Sequence, residues 1–588
     1  MTEPEVQTEP EVATATSDTA EPDFRQRILW GVLVFGVCLI TALVVTWPLA
    51  AHLDSAILLG NEQGAMVGLL SIWTLWWNAD RLVHGFAGYW DAPFFYPNKG
   101  VFTYSEPEPL TALFIAPLWG LDATPSLVHN VASLLVLTLN GIFAYRLARA
   151  LGVKPLPALL GGVLMVALPF VAKVYGVLNL TPVFGMLWTL EGLVRFGRAG
   201  RLRDAAWAGL GFIAAYLTCQ QYALIFVPFA LGAFVVALWE QRFARRAILV
   251  LVASFLGAGL LLLLVILPAY TLHQQLGLTR QDFVVQALSA QLGDFFTRPN
   301  TASVPFPPAS LNDTAGLFPG FILLGLATLG VGLAWHNRES SRRWAVYLAV
   351  GTFAAALLAM GLNLSIFGWQ PFDTMRSFIP GFSELRSPFR FAIIMQLMLA
   401  ALAALGLGYL LVYLRDRKQA GIALVVLLGL LGAAENLNVP VPLQSIPTSA
   451  KTAWAEWLNA QPQGTVVAHV PFPNGLRITD YEIEGWRMFA QIEHQMPIVN
   501  GYSGYFPPGY TDFQLSMATG FPSQGLICEL NLGLGANTLV VDQSWLATHL
   551  GALASFASSL QPVYSDKDVQ IYRLAAPADV CKANEQSP

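Results

Sequence analysis

The chain has 588 residues, 55 % of them hydrophobic and only 12 % charged, with a mean hydropathy of +0.54. A soluble globular domain carries about 25 % charged residues, so this composition excludes a soluble enzyme and makes lipid the main solvent of the chain. The formal net charge of −5 comes with no basic stripe interleaved with aromatics, which excludes a nucleic-acid binder.

The N-terminal segment 1–27 opens with Met1–Asp23, which contains no Lys or Arg and is rich in Glu, Thr, Pro and Ala. That excludes the basic start of a signal peptide and predicts a disordered cytoplasmic tail, so the first apolar span stays as an anchor. A bilayer-spanning helix needs roughly 20 mostly apolar residues. Spans are predicted near 28–50, 126–145, 156–172, 178–194, 205–219, 223–239, 247–269, 317–335, 344–362, 391–414 and 420–437, eleven in all. With the N-terminus inside, the inward connections hold 18 of the 32 basic residues, packed into short turns such as Arg195–Arg203 and Arg242–Arg246. The alternation never breaks, as the positive-inside rule requires. Three long loops, 52–125, 270–316 and 363–390, and everything after Val439 are then expected to face outward.

The first of these loops is too polar to cross a bilayer and unusually aromatic. Glu62, Glu106 and Glu108 sit in turn-forming surroundings, while Ile72, Trp73, Leu75, Trp76 and Trp77 have the character of an interfacial helix. Leu110–Trp119 is apolar but too short to span and is assigned to the same interface. Glu435, near the outer end of the last span, requires a structural partner at that depth.

From about Thr448 the composition becomes that of a soluble unit, and 448–580 is expected to be a small α/β domain outside the membrane. Ala453–Ala460 reads as a helix, and Thr465–Val470, Asn537–Val541 and Val569–Leu574 read as strands. Gly533–Ala536 precedes a strand, the reverse of the order a dinucleotide site needs. Asn500–Tyr510 is dense in Gly, Pro and Tyr, a packed surface loop or one whose aromatics meet sugar faces. Four cysteines make no disulfide framework. Cys38 and Cys219 fall in apolar spans, and the pairing of Cys528 and Cys581 in the tail stays open.

Transfer of a sugar from a polyprenyl phosphate at a membrane surface needs a base for the acceptor hydroxyl and cations for the leaving phosphate. A carboxylate tuned by partial burial suits the first role and the planar guanidinium of Arg suits the second. Glu62 is the leading base candidate, followed by Glu106 and Glu108. Arg376, Arg386 and Arg390 form a cationic cluster just before a predicted span. No metal ligands are assigned: His52, His84 and His273 lack ligand spacing, although two outward carboxylates suffice for a divalent cation.

Gly60-Asn-Glu62, Trp73, Trp76-Trp77, Phe94-Phe-Tyr-Pro-Asn98 and Thr103-Tyr-Ser-Glu106 mark the first loop. Together with Pro380-Gly-Phe382, Leu385-Arg-Ser-Pro-Phe-Arg-Phe391 and Val499-Asn-Gly-Tyr-Ser-Gly-Tyr-Phe-Pro-Pro508, this pattern resembles a bacterial branch of the GT-C superfamily of polytopic membrane glycosyltransferases. That superfamily includes protein O-mannosyltransferases and the aminoarabinose transferase of lipid A. The resemblance covers about residues 28–575. It implies a GT-C-like transmembrane domain over 28–440 and substrate-binding roles for Asn61, Tyr104, Tyr502 and Tyr505 beside the three arginines. Members usually place Asp directly after the first-loop glycine; here Asn61 stands there and Glu62 follows.

The expected function is therefore a membrane glycosyltransferase of the bacterial plasma membrane. It would move a sugar from a polyprenyl-phosphate donor to an extracytoplasmic glycan, lipid or protein acceptor. The alternative is a non-catalytic, lipid-glycan-binding scaffold on the same fold. A transporter is disfavoured, because the spans are nearly free of internal charge and show no repeated halves.

Overall fold

The computed structural model describes residues 24–299, 306–336, 341–576 and 581. The expected N-terminal tail, except for its last four residues, and the end of the tail domain near 580 lie outside them.

Helix α1 (Phe24–Val45) enters the bundle. The first loop then forms a short strand β1 (Ala56–Leu58), helix α2 (Met66–Val83) and helix α3 (Pro109–Trp119). Helices α4 (Pro125–Ala150), α5 (Pro155–Val166), α6 (Pro169–Lys173), α7 (Phe184–Ala199) and α8 (Leu202–Thr218) follow. Proline at the first helical position starts α3, α4, α5 and α6, where its missing N–H is not needed. After α9 (Gln220–Glu240) and α10 (Arg245–Leu276), the second loop carries α11 (Asp282–Ala287) and the two-residue strands β2 (Arg298–Pro299) and β3 (Ala309–Ser310). Helices α12 (Phe321–His336), α13 (Arg342–Ala359), α14 (Pro371–Phe378), α15 (Ala392–Tyr413) and α16 (Lys418–Glu435) complete the bundle.

Helix α15 is the centre of the bundle: it is apolar all round and buried from Ala392 to Tyr409, as a helix surrounded by others must be. It meets α12 through two glycines. A Cβ on Gly330 would lie 2.3 Å from the Leu402 carbonyl oxygen and one on Gly406 2.2 Å from that of Leu326, so only glycine permits this backbone approach. Glu435 accepts hydrogen bonds from the Phe321 and Ile322 amides at 2.6 and 2.9 Å, satisfying the first turn of α12.

The chain is a helical membrane protein, with seven described helical segments long and apolar enough to cross a bilayer. Eleven spans were expected, and a helix lies at each. However, α7, α8 and α12 have 16, 17 and 16 residues. At 1.5 Å per residue these reach about 25 Å, short of the roughly 30 Å hydrocarbon core.

After strand β4 (Leu443–Ser445), the tail comprises α17 (Ala453–Asn459), β5 (Val467–Val470), α18 (Glu482–His494), α19 (Tyr510–Gly520), α20 (Gln524–Cys528), β6 (Thr538–Asp542), α21 (Gln543–Ala554), β7 (Leu560–Ser565) and β8 (Val569–Leu574). Its sheet has the order β5-β6-β8-β7, parallel at β5–β6 and antiparallel elsewhere. A Cys528–Cys581 disulfide closes its end. Strand β4 pairs antiparallel with β1, tying the tail to the first loop. Backbone bonds from Phe95 to Asn500 and from Tyr96 to Ile498, both 3.0 Å, continue that seam.

The tryptophan run is corrected by this packing. Trp73 is fully buried, stacked on Trp77 and edge-on to Phe94, and its indole N–H donates to Gln491 Oε1 at 3.0 Å. The run lies under the tail domain rather than at a lipid interface, because α18 covers the apolar face of α2.

Candidate functional site

A cavity of about 460 Å³ lies between the membrane bundle and the tail, within the roughly 300–1,000 Å³ usual for ligand sites. Its walls come from α2, the turn before α3, the start of α9, the end of α10, the segment before α15 and the tail loop around Tyr502. Glu62, Tyr104, Glu106, Glu108, Arg386, Arg390, Tyr502 and Tyr505 all line it. Residues up to 443 positions apart thus share one space.

Glu62 is aimed inward by a tight turn. Gly60 has φ +59°, and a Cβ there would lie 2.6 Å from the Lys173 carbonyl oxygen, so the position admits only glycine. The Asn61 amide then donates to that same oxygen at 2.9 Å. Burial raises the Glu62 carboxyl above its usual range, and Asp313 adds to this, while Arg390, Arg386 and Lys173 oppose it. The side-chain amide of Asn61 is outside the cavity lining, and neither its nitrogen nor its oxygen finds a hydrogen-bond partner.

Glu106 and Glu108 are two residues apart and differ in occupation. Glu106 accepts the amide hydrogens of Gln220 at 2.7 Å and Gln221 at 3.0 Å. These are the unsatisfied donors of the first turn of α9, so Glu106 acts as a cap on that helix. Burial raises its carboxyl, and the two amides and Arg390 pull it back. Glu108, at φ +48° and buried, has no hydrogen-bond partner for Oε2. Burial, with the repulsion of Glu106, holds its carboxyl well above the usual range, which favours the neutral acid.

The cations are arranged unequally. Arg390 donates through Nη1 to Gln221 Oε1 and leaves Nε unpaired. Neither Arg390 nor Arg386 forms an ion pair among the described residues. Arg376 lies outside the cavity, 2.8 Å from Asp282 and 3.5 Å from Asp373, where it braces the loops of α11 and α14. Lys173 is also engaged, donating to the carbonyls of Asp313 at 2.6 Å and of Ala315.

Two wall residues were not among the candidates. Arg280 lies 3.5 Å from the Tyr505 ring centroid and donates to the Gly504 carbonyl at 2.7 Å, which fixes the tail loop over the cavity. His273 sits between Glu384 Oε2 at 2.7 Å and the Thr103 carbonyl at 3.0 Å. The sequence signal for both was their place in the second outward loop, with nothing to show what they would face. Among the described residues no group of three or more His, Cys, Asp or Glu is placed to hold a metal ion.

A helical membrane bundle whose long loops and α/β tail enclose a cavity of opposed carboxylates and arginines describes the class of the molecule. By family the chain belongs to the one described as "Domain of unknown function (DUF6311)", whose model matches residues 73–433. No curated protein sequence matches it. Among solved structures it is similar to the arabinofuranosyltransferase AftD from Mycobacteria, at 18 % identity and a TM-score of 0.57 over 93 % of this chain. It is also similar to the R1389S mutant of AftD in its class 2 form, at 15 % identity and a TM-score of 0.54 over 94 % of this chain. The apo oligosaccharyltransferase of Archaeoglobus fulgidus follows at 13 % identity and a TM-score of 0.46, covering 95 % of this chain and 75 % of that one. The chain spans only 40 % of AftD and 42 % of its mutant. The likeness to AftD establishes a GT-C-like fold.

Proposed function

We propose that this protein is a membrane glycosyltransferase that moves a sugar from a polyprenyl-phosphate donor to an acceptor outside the membrane. The observation that carries the reading is the cavity itself, where the half-buried carboxyl of Glu62 shares one space with two arginines that have no carboxylate partner. In the transfer, Glu62 takes the acceptor hydroxyl proton, and the acceptor oxygen bonds to the anomeric carbon. The bond from that carbon to the phosphate oxygen breaks, and the phosphate leaves as an anion held by Arg386 and Arg390. Tyr104, Tyr502 and Tyr505 supply the ring faces and hydroxyls of a sugar site. Asn61, with its unpaired amide, and Arg376 support the loops around it.

The helical bundle crosses the membrane with the N-terminus and the short arginine-rich turns inside. The tail and cavity face out from a bacterial plasma membrane, where the Cys528–Cys581 disulfide suits an oxidising compartment.

The test is release of sugar by purified protein in nanodiscs from radiolabelled polyprenyl-phosphate hexoses and pentoses. Glu62→Gln is expected to lower turnover about 10²–10⁴-fold with the donor still bound. Wild-type protein that binds donor without turnover, unchanged in Glu62→Gln, would replace this reading with that of a lipid-glycan-binding scaffold.

A further inference from the structure

Helix α9 begins at the cavity with Gln220 and ends, at Glu240, in a second recess. This groove of about 1240 Å³ lies between α9 and α13, with the ends of α7 and α12 at its mouth. Its walls are apolar, from Val236 on one side to Val350, Ala354 and Leu358 on the other. Gly232 opens its floor: a Cβ there would stand 3.1 Å from the Tyr347 ring, and Tyr347 donates its hydroxyl to the Phe229 carbonyl at 2.7 Å. Val350 and the neighbouring Leu231, Val235 and Phe353 are all more than half exposed, so the groove opens sideways towards hydrocarbon.

The mouth has a different chemistry. Arg342 lies 3.8 Å from the Trp335 ring centroid and Arg343 4.8 Å from that of Trp239. Arg198 is the third guanidinium. None of the three forms an ion pair among the described residues. Glu240 is the one carboxylate of the lining, and its Oε2 has no hydrogen-bond partner. Among the described residues of the lining, three cations therefore face one anion. Stacking on indole rings holds the planes of Arg342 and Arg343 while leaving their edge N–H groups free.

We propose that this groove binds one acidic glycerophospholipid of the phosphatidylglycerol type, drawn from the leaflet at that end of the bundle. Its acyl chains lie along Val236 and Val350, and its phosphodiester meets Arg198, Arg342 and Arg343. Basic pockets between membrane helices recognise anionic headgroups in this way. The excess of two positive charges selects against zwitterionic lipids, whose own cation would be brought up to the arginines. A soluble phosphate fills the mouth but not the apolar wall, so the groove is specific for a lipid. The site is separate from the sugar cavity and stands whether or not transfer occurs.

The test uses full-length, delipidated protein in detergent, mixed with phosphatidylglycerol or with phosphatidylcholine of the same acyl chains, and native mass spectrometry of the retained lipid. One phosphatidylglycerol per chain is expected, with preference over phosphatidylcholine of about tenfold. The double variant Arg342→Gln/Arg343→Gln is expected to lose that preference. Gly232→Leu, which fills the floor with every charge intact, is expected to lower retention of both lipids. Equal retention of the two lipids by wild type, or unchanged preference in the double variant, overturns the proposal. So does displacement of the bound lipid by free glycerol phosphate. If Gly232→Leu does not fold, the double variant, altered only at the mouth, still decides.

Discussion

The two ends of α9 hold two recesses of the molecule, and both present arginines without ion-pair partners among the described residues. They are built in opposite ways. At the first end the tail domain is laid over the opening, and the first turn of the helix is satisfied by Glu106 from a loop 114 residues away. At the second end nothing described covers the walls, and two of the three guanidinium groups rest on indole rings. Enclosure raises the local strength of each charge and suits a site that must discriminate between ground and transition states. An open wall suits a ligand already dissolved in the surrounding bilayer. Similar residue types therefore serve different chemistry according to what stands opposite them.

That contrast can be broken most sharply at Arg386. Arg386→Ala removes a cavity cation and is expected to lower sugar release about 10²–10³-fold, while phosphatidylglycerol retention at the far end stays at the wild-type level. A parallel loss of retained lipid would show that the recesses are not independent. A smaller effect is expected at Glu106. Glu106→Ala leaves the amides of Gln220 and Gln221 buried without acceptors, a cost of about 1–3 kcal/mol each way it is measured. Thermal unfolding followed by circular dichroism should show a lowered midpoint; an unchanged midpoint would mean that the cap is dispensable.

The smallest effect is expected at Glu108, two residues on. Its carboxyl is raised in the folded protein, so the folded state holds a proton that the unfolded chain releases above the ordinary value of 4.5. Stability from this group is therefore fullest at low pH and falls as pH climbs from 4.5 towards the raised value. Glu108→Gln, a neutral mimic of the acid, is expected to change stability near pH 5 by less than about 0.5 kcal/mol and to flatten that fall. A slope that survives the substitution would assign it to another group.

Much of the bundle was legible because apolar length and basic turns are local properties. Even so, α7 and α12, read as spans, have 16 residues each and are shorter than a bilayer is thick. In the first loop, Glu62, Glu106 and Glu108 carried the same sequence signal, a carboxylate beside a turn. What separates them is the company they meet. Glu106 faces the start of α9, Glu108 is buried beside Glu106, and Glu62 faces arginines more than 300 residues later. The tryptophan run around Trp73 misled for the same reason, because its partner Gln491 lies 418 residues further along the chain. Arg280 and Arg376 were equally visible as outward cations, and only the fold sends one to the cavity wall and the other to a loop brace.

The seam between the first loop and the tail has a consequence for when the site comes into being. Gln491 holds the Pro93 carbonyl across 398 residues, and β4 closes on β1 only after α16 has been made. During synthesis the carboxylates emerge early, the arginines arrive near the end of the bundle, and the roof of tyrosines comes last. A partly made chain thus exposes the floor of the site with no ceiling and no cationic wall. Long-range closure of this kind is slow compared with local helix formation, so the cavity is complete only once the tail has folded onto the first loop.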